Sequence, residues 1–589
     1  MKKLKILHNF VVGNRPAPHS ADAGAESAQL TKLLRTTYFS TIMSIAKVKR
    51  ILSLSALAAA ATCALAVPPK PGIIDIHQPD GSSFKATIKG DASFHWYETP
   101  EGEILAADMA DGFFRAVDAS RLSQLKEEAA MKAAASLEQA RINGMSRVAP
   151  SPIKREFPTT GTVRGLIVLA EFQDVKFQEG STAEYFDRKV NSPDYSAPET
   201  YGSVNDFFKA QSKGVFTPEF DIVGPITLPR NCADYGLYED LDALFRDSAK
   251  AAQEAGTDFS RYDVNEDYFV DFLFVIYAGH GEAQGGPAET IWPAKKDISD
   301  FVFDSFDGMY LGNAACSCEL KGGSGTEMDG VATICHEFSH ILGLPDIYDP
   351  QGTGGYGMGH YDMMCYGPYN DDGRTPCNYT AMEKFTLGWI EPTVLESETR
   401  DFTLHNFGDT DECVFIVNPE NPNEYFTLEN RQQVGFDSGL PGHGLVISYC
   451  HYNRGIWAKN SPNSPMIATY EHVNIIPADN SRLMGDSEAG DTWPGTAGKT
   501  EFSYAATSDA TWRSTGKPME MPVSNIRENA DGSITFDFMA ANAVGGIEAA
   551  SEEDAEYFTL SGMKVNPESL LPGIYIRKAN GKASRIAIH

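Results

Sequence analysis

Positive charge is scarce in this chain: 49 Lys and Arg stand against 80 Asp and Glu, leaving a net charge of −31. Such a surface repels phosphate backbones and anionic lipid, so neither nucleic acid nor an acidic membrane face is expected as a partner. Cysteine is also rare, nine in 589 residues, which excludes a disulfide scaffold. Cys316 and Cys318 stand too close together to suggest zinc without a second pair. No Gly-x-Ser-x-Gly elbow occurs, so nothing points to a serine hydrolase built on that turn. Solenoid-type repeats are absent as well. Only one long apolar run exists, Ile51 to Val67, so no other segment could span a bilayer. The length exceeds what one hydrophobic core usually organises, which predicts two to four domains.

The single apolar run follows Lys47, Lys49 and Arg50 and closes with Ala64-Leu65-Ala66. A basic start, a short apolar middle and small residues at the end read as a secretory signal. Met43 is the expected true start, which makes residues 1–42 an upstream extension and 1–66 extension plus signal. Cys63 offers a lipoprotein alternative, although Ala60-Ala61-Thr62 before it is a poor acylation context. An excess of carboxylate suits an exported protein, secreted or at the cell surface.

Alternating positions around Pro79-Asp80-Gly81 and Pro100-Glu101-Gly102 read as a small β-rich unit. A charged, Ala-rich helix from Ser120 to Ile142 follows, then the polar stretch Ser146 to Pro158, with dibasic Lys154-Arg155 open to nicking. Residues 67–157 are thus positioned like a pro-segment, and contain no cysteine to cover a metal; a carboxylate, a histidine such as His95, or steric cover would have to serve. Leu166 to Ala170 and Phe269 to Tyr277 read as buried strands, and an α+β catalytic domain fits 158–395. Beyond Trp389 short alternating strands predict a β-sandwich over 396–543. A short β tail fits 544–589.

The chemistry concentrates at His336-Glu337-Phe338-Ser339-His340-Ile341-Leu342-Gly343. Histidines at i and i+4 of a helix share a face and can ligate one ion, while Glu337 beside them can take a proton from water. Gly343 permits the positive φ that turns the chain back, and Asp346 can then supply a third zinc ligand. Three protein ligands leave one position open, as a catalytic zinc requires. Downstream, Tyr361-Asp362-Met363-Met364-Cys365-Tyr366-Gly367 follows a glycine-rich loop. It resembles the Met-turn of metzincins, with Met364 as the floor beneath the metal and Tyr366, two residues on, as an oxyanion stabiliser by that resemblance.

The stretch from His336 to Asp349 resembles the immune inhibitor A type of peptidase, the M6 family. Ala278 to Glu282, Ile291-Trp292-Pro293, Glu383 to Trp389, Glu424 to Arg431 and Leu440 to Gly444 agree with its pattern. The resemblance implies an α+β metzincin-like catalytic domain, with an all-β C-terminal sandwich and a small N-terminal pro-segment. It also implies a zinc endopeptidase acting on proteins or peptides, with Asp346 as third ligand where the clan more often has histidine. His360 and Asp349 are the alternative third ligands. A catalytically inactive surface binding or adhesion protein is the rival reading, which retention of Glu337 and three ligands disfavours.

Asp263, Asn265, Asp267 and Asp271 bring oxygen side chains to offsets 0, 2, 4 and 8, a spacing that can converge on structural calcium. Tyr268 and Phe274 stand where an EF-hand needs glycine and glutamate, so it is not that loop. Tyr557 to Val565 and Gly573 to Arg577 resemble a type IX sorting tail.

Overall fold

A computed structural model describes residues 65–129, 131, 157–237, 240–298, 305–350, 355–460, 462–465, 468–482, 487–540, 556–559, 563–566, 573–579 and 582–588. The expected signal lies outside them except for its last residues, and so does Lys154-Arg155. A six-stranded sheet organises the centre of the molecule. Its order is Leu65–Ala66, Ala294–Asp297, Asn313–Leu320, Leu273–His280, Gly161–Glu171 and Phe216–Thr227. The last four run parallel, and the first two are added antiparallel to their inner neighbours.

A parallel sheet is buried on both faces, and Leu166 to Ala170 carries the unbroken apolar run this demands. Ile167 and Leu169 point into one core, which holds the helix Ala332–Ile341, while Leu166 and Val168 point into another under the helix Leu241–Glu254. The second expected strand is divided into Phe269–Val270 and Leu273–His280. Asp271 interrupts it: its N–H donates to Tyr262 O at 2.9 Å, and its carboxylate accepts from the Val264 and Asn265 N–H groups at 2.7 and 3.3 Å.

Residues 74–116 form a five-stranded antiparallel meander. Ile76, Ile88, Tyr97 and Phe114 of that meander belong to the same buried cluster as the central sheet. The C-terminal region has a five-stranded and a three-stranded sheet, and their facing side chains, among them Phe426, Ile447 and Phe536, share a core. Phe415, Tyr425 and Val473 of this β-rich region also enter the cluster around the helix Ala332–Ile341. Packing therefore continues across the boundary expected near residue 395. The tail forms a four-stranded sheet from residue 556 onward. No helix among the described residues is long and apolar enough to cross a membrane.

Candidate metal centre

All ten residues of the helix Ala332–Ile341 are buried. Phe338 anchors one side, its ring 4.5 Å from that of Phe272, 4.9 Å from Phe208 and 5.7 Å from Phe220. The helix stops at Leu342, and Gly343 takes φ +99°, as its sequence position predicted. That reversal brings Asp346 back to the histidines. Asp346 Oδ1 lies 3.2 Å from His336 Nε2 and 3.3 Å from His340 Nε2.

The three donor atoms are buried and complete no hydrogen bond. Buried polar atoms without partners are costly, so their convergence marks a place built for something else. His336 Nδ1 donates to Met363 O at 2.9 Å and His340 Nδ1 to Leu344 O at 2.8 Å. A carbonyl can only accept, so each ring donates through Nδ1 and aims Nε2 inward. Two imidazole nitrogens and one carboxylate oxygen fit zinc. Among the described residues this trio is the group of such side chains close enough to hold a metal.

Electrostatics follow the same geometry. Burial depresses His340, whereas for His336 the carboxylates of Asp346 and Glu337 and the Met363 carbonyl outweigh burial and raise it to about 9. Asp346 is held at about 2, because both imidazoles overcome its burial. Burial pushes Glu337 up to about 8, a direction suited to a proton acceptor near neutrality.

The sequence did not mark the residue that fixes Asp346. Asn460, from the β-rich region, donates through Nδ2 to Asp346 Oδ2 at 2.5 Å and accepts the Asp346 N–H at 2.6 Å. This leaves Oδ1 alone to face the histidines. A lone asparagine far downstream, at φ +51°, carries no spacing signal that links it to Asp346. Arg431, inside a segment that the family resemblance covered, donates to Tyr361 O at 3.2 Å and pairs with Glu429 and Asp437 at 2.8 and 2.6 Å. It thereby ties the β-rich region to the turn behind His336.

Met364 is fully buried in that turn, its carbonyl accepting the Ile347 N–H at 2.8 Å. Tyr366 stacks loosely between Tyr348 and His360, ring centres 6.2 and 6.1 Å away. His360 turns to Glu488 at 2.8 Å and Asp349 accepts the Gly355 N–H at 3.2 Å, so neither joins the trio. His95 Nε2 donates to Glu282 Oε1 at 2.7 Å and is not part of the metal trio. In the proposed calcium loop Asp263 accepts the Asp267 and Tyr268 N–H groups, Asp267 accepts that of Phe269, and Asn265 Nδ2 donates to Asp271. The turn closes on these hydrogen bonds, and its four oxygen-bearing residues are not among the group close enough to hold a metal.

The N-terminal segment crosses this centre. Leu65 and Ala66 pair with Lys295 and Ala294. The Val67 N–H donates to Glu337 Oε1 at 2.7 Å, and the Tyr348 hydroxyl donates to Ala66 O at 2.8 Å. Trp292 Nε1 reaches Val67 O at 3.0 Å and the Tyr369 hydroxyl reaches Pro68 O at 2.5 Å. Burial, with the charges of Asp346, Asp91 and Glu337, holds the Tyr348 hydroxyl well above the usual tyrosine range.

Two histidines and an aspartate converge here with a buried glutamate alongside, and define a candidate metal centre. Residues 167–389 match the family model of the immune inhibitor A peptidase M6 catalytic domain, so this part of the chain is similar to that family's catalytic domain. An immune inhibitor A from Bacillus thuringiensis subsp. alesti is 27% identical over 298 residues, 41% of this chain and 42% of its own. The pre-pro-metalloprotease PrtV of Vibrio cholerae serotype O1 (strain M66-2) is 22% identical over 275 residues, 40% of this chain and 28% of its own. The matches thus span less than half the length of either relative.

Proposed function

We propose that the protein is an exported zinc endopeptidase that hydrolyses peptide bonds in proteins, with His336, His340 and Asp346 as ligands and Glu337 as general base. The observation that carries this is the set of buried, partnerless atoms His336 Nε2, His340 Nε2 and Asp346 Oδ1, with Glu337 Oε2 also buried and unpartnered beside them. When bound, zinc would polarise the scissile carbonyl and acidify water. Glu337 takes a proton from that water and returns one to the departing amine nitrogen. With Leu65–Ala66 displaced, the strand Ala294–Asp297 would align an extended peptide as an added antiparallel strand in its place. Met364 lends its backbone to the turn that orients His336.

Residues 65–70 fill the path a substrate would take, and the Val67 N–H engages Oε1 of Glu337, leaving Oε2 unpartnered. This supports reading 67–157 as a pro-segment that keeps the enzyme latent. A relative is named a pre-pro-metalloprotease, which fits a chain with a leader and such a segment.

The test is metal content together with cleavage of casein, with and without a chelator. The expected outcome is one zinc per chain, cleavage lost with the chelator and restored by zinc. Glu337→Gln should keep the zinc and lose activity by about 100-fold or more. Cleavage that survives either treatment would remove the assignment.

A further inference from the structure

One peptide bond, Ala66–Val67, which is also the bond at the expected end of the signal, is gripped at both of its polar atoms in the uncut chain. The Ala66 carbonyl oxygen receives the Tyr348 hydroxyl at 2.8 Å, and the Val67 nitrogen donates to Glu337 at 2.7 Å. Backbone contacts fix the chain on either side: strand pairing of Leu65 and Ala66 with Lys295 and Ala294 before the bond, Trp292 and Tyr369 after it. In peptide hydrolysis two atoms change charge state, the carbonyl oxygen, which becomes negative, and the departing nitrogen, which takes a proton. These are the two atoms held here.

We infer that Tyr348 is a catalytic residue of the proposed peptidase, donating its hydroxyl hydrogen bond to the carbonyl oxygen as negative charge develops there. The inference rests on the peptidase reading. Tyr348 lies two residues beyond Asp346 and is 1% exposed, so its position is set by the same reversal that delivers the ligand. Tyr366 serves it from behind, ring against ring. In the step itself water oxygen bonds to the carbonyl carbon and its proton passes to Glu337. The carbon–nitrogen bond then breaks as that proton moves to the nitrogen. Tyr348 keeps its own proton throughout, so atoms and charge balance without a further reactant.

Full-length zinc-loaded wild type, Tyr348→Phe and Tyr366→Phe, each treated with trypsin in the same way, are compared by three measurements. These are zinc content, kcat and KM on a peptide substrate, and the affinity of a phosphinic peptide built on residues 64–68, whose anionic phosphinate mimics the charged oxygen. Tyr348→Phe removes only the hydroxyl, so zinc content should stay at the wild-type value. Its kcat should fall about 100- to 1000-fold with KM changed little, and the phosphinic peptide should bind more weakly by a similar factor. Tyr366→Phe should alter neither by more than a few-fold. Unchanged kcat and phosphinate affinity in Tyr348→Phe, or the loss appearing in Tyr366→Phe instead, would overturn the inference. A zinc-loaded wild type that cleaves nothing would sink the peptidase reading as well, and is told apart because wild type and variant are then equally silent.

Discussion

At the scale of single residues, the site depends on how few atoms face its centre. Asn460 occupies one oxygen of Asp346 and leaves the other for the metal. Removing a partner of this kind typically weakens metal binding about 10- to 100-fold. Asn460→Ala should therefore loosen zinc by that factor in a chelator competition while the fold persists, and unchanged affinity would show that Asp346 holds its position alone. Proton competition gives a second expectation. His336 is raised to about 9, and it must lose that proton from Nε2 before it can ligate. Zinc affinity should strengthen as pH rises from 6 towards 9, by up to about tenfold per unit if one proton leaves per ion, and weaken in acid. A flat profile would mean that His336 is already neutral. The ligand trio was legible in the sequence because an i, i+4 pair followed by glycine and aspartate encodes its own geometry. Asn460 and the hydroxyl of Tyr348 were not, since their roles arise from contacts made across the chain.

At the scale of elements, the helix Ala332–Ile341 is held by aromatic packing more than by its ends. Its first residue lacks a side-chain cap, whereas Phe338 meets the rings of Phe157, Phe208, Phe216, Phe220 and Phe272. Phe338→Ala should cost about 3–5 kcal/mol, the usual penalty for emptying a packed aromatic site, and should release zinc on denaturant titration at lower concentration than wild type. Zinc loss without loss of stability would place the effect at the ligands instead. The central strand at 166–170 was readable as an apolar run. The break at Asp271 was not, because a carboxylate that accepts two backbone N–H groups across a turn leaves no trace in hydrophobic periodicity.

At the scale of the whole molecule, three regions that the sequence divides are packed as one. Apolar residues of the N-terminal meander enter one face of the central sheet and residues of the β-rich region enter the other. Composition marks where linkers fall, but it carries no information on which surfaces meet afterwards. Lys70 adds a salt bridge to Asp372 at 2.9 Å, so the covering segment is attached on several sides. A cut at Lys154-Arg155 should accordingly free the N-terminal unit only slowly. Activity on peptides should rise with its dissociation, followed by size-exclusion chromatography, rather than with the cut itself followed on a gel. Equal activity before the cut, after it and after dissociation would remove latency from the account and leave the metal site untouched.

The eight cysteines among the described residues are all buried and unpaired, and burial raises their thiols, Cys232 and Cys450 to about 12 and the others further. None of the described cysteines is bridged in this fold. Inactivation by a dithiol such as dithiothreitol would then have a single meaning, capture of the zinc, and would be reversed by adding metal back.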